Sequence, residues 1–172
     1  MIGVQILYAL LLLYPGPQSR CIELRFQSIA ASAMESEQLY GVPVEVFLAT
    51  SFLETHLGCD PGSGGGFGAP ISRSDRHTAG TAASHGSALA LGLRQCGTAH
   101  GWLAAVSHYR TGRCRWPVTY PGYTAVYAIH LANRIRERAT HGIRVYFNSE
   151  GRTELEADTS LPSLALRRSR AR

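Results

Sequence analysis

The chain contains no lysine. All seventeen of its basic residues are arginine, against twelve Asp and Glu, for a net charge of +5. A GC-rich coding bias produces such a set, so arginine abundance by itself carries no functional signal. The mild positive charge favours an anionic polymer, and nucleic acid and cell wall satisfy that equally. No basic face recurs within the core segments, which argues against nucleic acid. Neither a His-Glu-x-x-His motif nor a Cys-x-x-Cys pair is present, so the usual zinc signatures are missing despite seven histidines (His56, His77, His85, His100, His108, His130 and His141). No metal and no cofactor is expected. Strand signal is poor, and there is no internal repeat. What remains is 172 residues, 45% hydrophobic and 17% charged, enough for one domain with a real core and too rich in apolar residues for a disordered chain.

No apolar run is long enough to span a bilayer comfortably. The longest, Ile2 to Tyr14, has the length of a signal-peptide h-region and is broken by Pro15, Gly16 and Pro17. It lacks a basic residue before it and a clean A-x-A site after it. Residues 1–20 are therefore read as a signal peptide or as an N-terminal apolar segment that stays buried or membrane-retained. On the first reading the protein is exported, to the periplasm or the outside, and membrane contact is confined to an uncleaved N-terminus. Export makes disulfides the natural use of Cys21, Cys59, Cys96 and Cys114. Four cysteines allow three pairings. Cys96–Cys114 is preferred because it clamps two consecutive helical segments, which leaves Cys21–Cys59.

The rest reads as all-α. Apolar residues at Ile22, Phe26, Ile29, Ala30, Ala33 and Leu39 keep a helical repeat up to the stop at Gly41. Pro43 suits the first turn of a second helix that runs to Leu57 and ends at Gly58. A loop rich in Gly, Ser, Pro and Asp covers residues 59–78. Helices follow over Thr81 to Cys96, His100 to Tyr109 and Pro121 to Arg138, with a possible short strand at Arg144 to Phe147. The domain is placed at residues 21–147, followed by a polar, basic-ended tail at 148–172.

Residues 52–70, FLETHLGCDPGSGGGFGAP, pose the functional question. Phe47, Thr50, Ser51 and Glu54 share a helix face at spacings of three, four and seven. Glu54 thus lies at the edge of the apolar stripe and in the last turn, where the carbonyl ends disfavour a negative charge. Burial and helix terminus both favour the neutral acid, the state needed to donate a proton. The plainer alternative is an amphipathic helix whose polar edge includes one Glu. Glycosidic cleavage usually needs two carboxylates. Asp60 and Asp75, in the following loop, are the nearest candidates for a partner. Trp102 reads as core, and Trp116 and Tyr120 as a groove wall able to stack on sugar rings.

The order of segments resembles the lysozyme-like lytic transglycosylases: YGVPVEVFLAT leading to SFLETHLG, then GGGFGAP, then AAVSHYRTG, then GYTAVYAIHLANRI. The resemblance covers about residues 27–137. It implies a lysozyme-like helical domain with a glycine-rich active-site loop. It further implies that Glu54 is the single acid/base, that Gly66 (or Gly65) and Gly68 let the backbone approach the sugar, and that Tyr109, Gly112 and Tyr123 line the substrate site. The implied partner is peptidoglycan, cut between N-acetylmuramic acid and N-acetylglucosamine with a 1,6-anhydro product. Thr55 stands where the family has Ser, Ala69-Pro70-Ile71-Ser72 where it has a loop Gln, and Arg110 where it has Asn. Two alternatives stay open: a goose-type-lysozyme-like hydrolase with Asp75 holding water, and a non-catalytic glycan-binding or scaffold domain on the same fold.

Overall fold

The computed structural model describes residues 2–13, 16–63, 65–68, 80–115, 125–140, 143–147 and 153–157. Seven helices dominate them: α1 (Ile2–Leu13), α2 (Ser19–Leu24), α3 (Phe26–Tyr40), α4 (Val44–Thr55), α5 (Ala82–Cys96), α6 (Gly101–Thr111) and α7 (Ala125–Thr140). Two strands, β1 (Ile143–Phe147) and β2 (Thr153–Ala157), pair antiparallel, with Val145 opposite Leu155. The first lies where a strand signal was read. The second falls inside the stretch read as a tail, five of whose residues thereby join an ordered backbone ladder. Among the described residues no helix is long and apolar enough to cross a membrane.

α4 is the centre of the fold. Val44 through Phe52 are buried without interruption, so this is not the one-sided amphipathic helix of the plainer alternative. A helix hydrophobic on all sides belongs inside a core. Its polar residues are accommodated individually. Thr50 Oγ1 donates back to the Val46 carbonyl at 2.8 Å. Glu45, 9% exposed at its side chain, accepts from Arg136 Nε of α7 at 2.7 Å. α3, α5 and α7 pack around α4, and α6 packs on α5 and α7.

α1 is part of the same core. Leu7, Ala9 and Leu10 are fully buried and Ile6 nearly so, against α7, α3 and α4. The Tyr8 ring stacks on Phe26 of α3 with centroids 4.3 Å apart.

The expected helix over Ile22 to Tyr40 is two helices, broken at Arg25 (φ −102°, ψ 7°). The break turns the Arg25 guanidinium toward the loop that follows α4. Gly41, left-handed at φ 68°, ends α3 with its N–H on the Glu37 carbonyl. Pro43 caps α4 from just outside the first turn, its carbonyl accepting from Val46 and Phe47 at 2.9 and 3.0 Å. Thr81 caps α5 by accepting from the Ser84 N–H. Both disulfides form as expected. Cys21–Cys59 joins α2 to the loop after α4, and Cys96–Cys114 joins the end of α5 to the turn after α6.

Candidate active site

α4 delivers Glu54 in its last turn. Three successive residues in the left-handed region then reverse the chain: His56 (φ 46°), Leu57 (φ 58°) and Gly58 (φ 79°). The first two carry side chains there, which costs of order 1–3 kcal/mol each. Surrounding contacts hold them in place. The Leu57 side chain is fully buried, its carbonyl accepts from Arg25 Nη1 at 2.9 Å, and His56 Nδ1 pairs with Asp60 at 2.7 Å. Gly58 must be glycine, since a Cβ there would sit 2.5 Å from the Gly65 carbonyl oxygen.

This reversal lays the glycine loop against the end of α4. Arg25 Nη2 donates to the Gly65 carbonyl at 2.8 Å, with the guanidinium over the Phe67 ring. Thr55 Oγ1 donates to the Gly66 carbonyl at 2.8 Å and accepts from the Gly58 N–H at 3.0 Å. The residue next to Glu54 is therefore a hydroxyl that fastens the loop, a role serine or threonine can fill. Replacing it with valine leaves a buried carbonyl and a part-buried N–H without that partner, an expected cost of about 1–3 kcal/mol. Urea unfolding of Thr55→Val against Thr55→Ser checks this. Equal midpoints for the two variants would contradict it.

Phe67 and Gly68 meet Gly80 in a two-bond bridge, Phe67 N to Gly80 O at 2.9 Å and Gly80 N to Gly68 O at 3.0 Å. Gly68 lies so close to α5 and α6 that a Cβ would stand 2.4 Å from both His85 Nδ1 and the Tyr109 hydroxyl.

Those two groups belong to a hydrogen-bonded chain one turn before Glu54 on α4, buried at Thr50 and His85 and part-buried at Tyr109. Thr50 Oγ1 lies 2.9 Å from His85 Nε2, and His85 Nδ1 lies 3.0 Å from the Tyr109 hydroxyl. Because Thr50 donates to helix carbonyls, it accepts from Nε2–H. Nδ1 is then the bare nitrogen that accepts from Tyr109. Burial drives the His85 pKa down to about 3, against a weaker raising effect of the Phe47 carbonyl. The imidazole stays neutral in the fold.

The sign of the consequence is fixed. The unfolded chain takes up this proton near pH 6.5 and the folded chain near 3, so His85 favours folding above pH 6.5, and that contribution is lost as pH falls toward 3. Between those values it adds a slope of up to about 1.4 kcal/mol per pH unit. Denaturant unfolding of wild type and His85→Leu between pH 7 and 4 checks this: the wild-type stability should fall more steeply by one proton. Parallel profiles would contradict it.

Glu54 itself is 5% exposed at its side chain. Burial raises its carboxyl above the ordinary value. The charge and hydrogen bond of Arg110, whose Nη1 donates to Oε1 at 2.8 Å, lower it but do not cancel the effect. Arg110 reaches in from α6, beside Tyr109, and is 43% exposed. Glu54 is thus a buried acid on the inner side of a cation that faces solvent.

The structure brings Glu54, Gly66, Gly68 and Tyr109 into one region. Gly112 caps α6 at φ 70°, with its N–H on the His108 carbonyl. Trp102 packs partly buried against the core. Asp75, Trp116, Tyr120 and Tyr123 lie outside the described residues. The sequence reading did not single out Arg25, the bonding role of Thr55, or the Thr50–His85 pair as parts of the site. The one hint was Thr50 on the Glu54 face. Among the described residues no three His, Cys, Asp or Glu side chains form a group able to hold a metal. The chain matches no family model, no curated protein and no solved structure.

Proposed function

We propose that this is a lysozyme-like domain that cleaves peptidoglycan glycan strands as a lytic transglycosylase, with Glu54 as its acid and base. The observation that carries the reading is the Glu54 carboxyl, buried at the end of the central helix and held toward its neutral form by burial. Supporting it, Thr55 and Arg25 hold a glycine loop beside that helix end, and Tyr109 is fixed beneath it through His85. In the proposed reaction Glu54 gives its proton to the oxygen leaving C1 of N-acetylmuramic acid. The carboxylate then takes the proton of the C6 hydroxyl as that oxygen bonds to C1, closing a 1,6-anhydro ring. One carboxylate serves both steps, so no second acid is needed. The two disulfides suit an oxidising compartment, where this substrate lies.

Arg110 favours a second reading. A guanidinium bonded to the acid stabilises its ionised form, which suits a domain that binds glycan without cutting it. Co-sedimentation with insoluble peptidoglycan measures binding, and clearing of the same suspension measures cleavage. Sedimentation with clearing is expected; sedimentation without clearing would select the second reading. Absence of both would overturn the assignment to glycan.

A further inference from the structure

We infer that a cavity on the side of α4 away from Glu54 is a second binding site, which takes the acetamido group of an N-acetylated amino sugar on His56. Its volume is about 370 Å³, within the range of small-molecule sites, and its lining includes Pro17, Gln18, Ser19, Ile22, Phe52 and His56. Phe52 and Glu54 are two positions apart on α4, so they project roughly 200° apart around its axis. The cavity is therefore separate from the acid and from the Arg110 that covers it.

His56 is fixed by three independent features. It is a non-glycine residue held in the left-handed region at φ 46°. Its ring meets Phe52 edge-on, with centroids 4.9 Å apart. Its Nδ1 lies 2.7 Å from Asp60 Oδ1. A carboxylate only accepts, so Nδ1 carries the proton, and in the neutral ring Nε2 is a bare acceptor. The side chain is 37% exposed. Among the described residues its hydrogen bond is the one from Nδ1 to Asp60.

The other walls define what Nε2 would meet. Ile22 and Phe52 supply buried apolar surface. Gln18 brings an amide, which both donates and accepts. The Ser19 hydroxyl oxygen accepts from the Gly16 N–H at 2.9 Å, which leaves its proton to donate. An oriented acceptor, a donor and apolar surface in one cavity fit a secondary amide that bears a methyl group. Its N–H would donate to Nε2, its carbonyl would accept from Ser19 or Gln18, and its methyl would rest on Ile22 and Phe52. The choice of an amino sugar as carrier rests on the proposed glycan reading, since the acetamido group repeats along those strands. It does not rest on cleavage.

The test is titration of the full chain with three probes, followed by calorimetry and by NMR of the imidazole nitrogens. The probes are N-acetylglucosamine, glucose, which has a hydroxyl in place of the acetamido group, and N-acetylalanine methylamide, a peptide amide. N-acetylglucosamine is expected to bind and to shift the His56 Nε2 resonance, with glucose leaving it unmoved. His56→Asn, chosen because asparagine tolerates the left-handed region, should weaken binding by about fivefold or more, the loss of one hydrogen bond. The resonance is read on the wild type, so the test stands even where the variant fails to fold. A His56 resonance unmoved by N-acetylglucosamine would overturn the inference. Equal binding of glucose would overturn the acetamido assignment, and tighter binding of the peptide amide would overturn the sugar. Binding at His56 by a protein that clears no peptidoglycan would uphold the inference and overturn the transglycosylase reading. Clearing with a silent His56 would do the reverse.

Discussion

Glu54→Gln is expected to lower the rate of glycan cleavage by about 10²–10⁴ or more, the usual contribution of a positioned acid or base, because here one group serves in both steps. The amide keeps the shape of the side chain and can still accept a hydrogen bond from Arg110, so the loss is not expected to come from unfolding. Stability supplies an independent reading of the same group. Burial raises the folded pKa of Glu54 above its ordinary value. Its contribution to folding is therefore complete below the unfolded pKa and is lost as pH rises through the folded one. Relative to wild type, Glu54→Gln should be more stable at pH 7 than at pH 4. A variant equally shifted at both pH values would mean that Glu54 is an ordinary solvated carboxylate.

Deleting residues 1–15 is expected to have the largest effect on stability. Ile6, Leu7 and Leu10 of α1 are buried in the shared core. Burying such a side chain stabilises by about 1.5–3 kcal/mol, so the three contribute roughly 4.5–9 kcal/mol. A domain of this size has a total stability of about 5–15 kcal/mol. The shortened chain should melt roughly 10–30 °C lower, or not fold. The point variant Leu7→Ala, at about 2–5 kcal/mol, tests the same packing without changing the chain length. A chain starting at residue 16 that melts within a few degrees of the full chain would place α1 outside the folding unit and favour its removal on export.

Much of the helical layout was legible because its punctuation is local. Gly41, Pro43 and Gly97 mark ends by conformation, and Thr81 marks a start by its hydroxyl; α4 stops at Thr55, short of the expected Leu57, because His56 is already left-handed. The break at Arg25 was not legible. Apolar spacing runs through it unchanged, and arginine is a good helix former. What ends the helix is tertiary, since the guanidinium bonds Leu57 and Gly65, 32 and 40 residues further on. The depth of α4 was hidden for a similar reason. Thr50 and Ser51 share the Glu54 face and Glu45 lies in the first turn, yet all three are buried, and Glu45 is paired with Arg136, 91 residues away.

The site divides the same way. Glu54 could be found from its own helix, because its position in the last turn and on the edge of an apolar stripe is local information. Its neighbours could not. His85 lies 35 residues beyond Thr50, and Arg110 56 residues beyond Glu54. Nothing in an alanine-rich helix announces that its histidine will be neutral and sealed beneath a glycine loop. Arg110 was visible only as an unexpected residue after Tyr109. The fold makes it the cation that covers the acid.

The most direct test is mass spectrometry of the muropeptides released from purified peptidoglycan by the full chain with both disulfides intact, alongside Glu54→Gln. The account predicts anhydro-muropeptides from the wild type and none from the variant. Reducing-end products that depend on Glu54 would keep its role as acid and replace the transglycosylase reaction with hydrolysis. Release of the same products by both proteins, or by neither, would contradict the assignment of Glu54 as the catalytic acid.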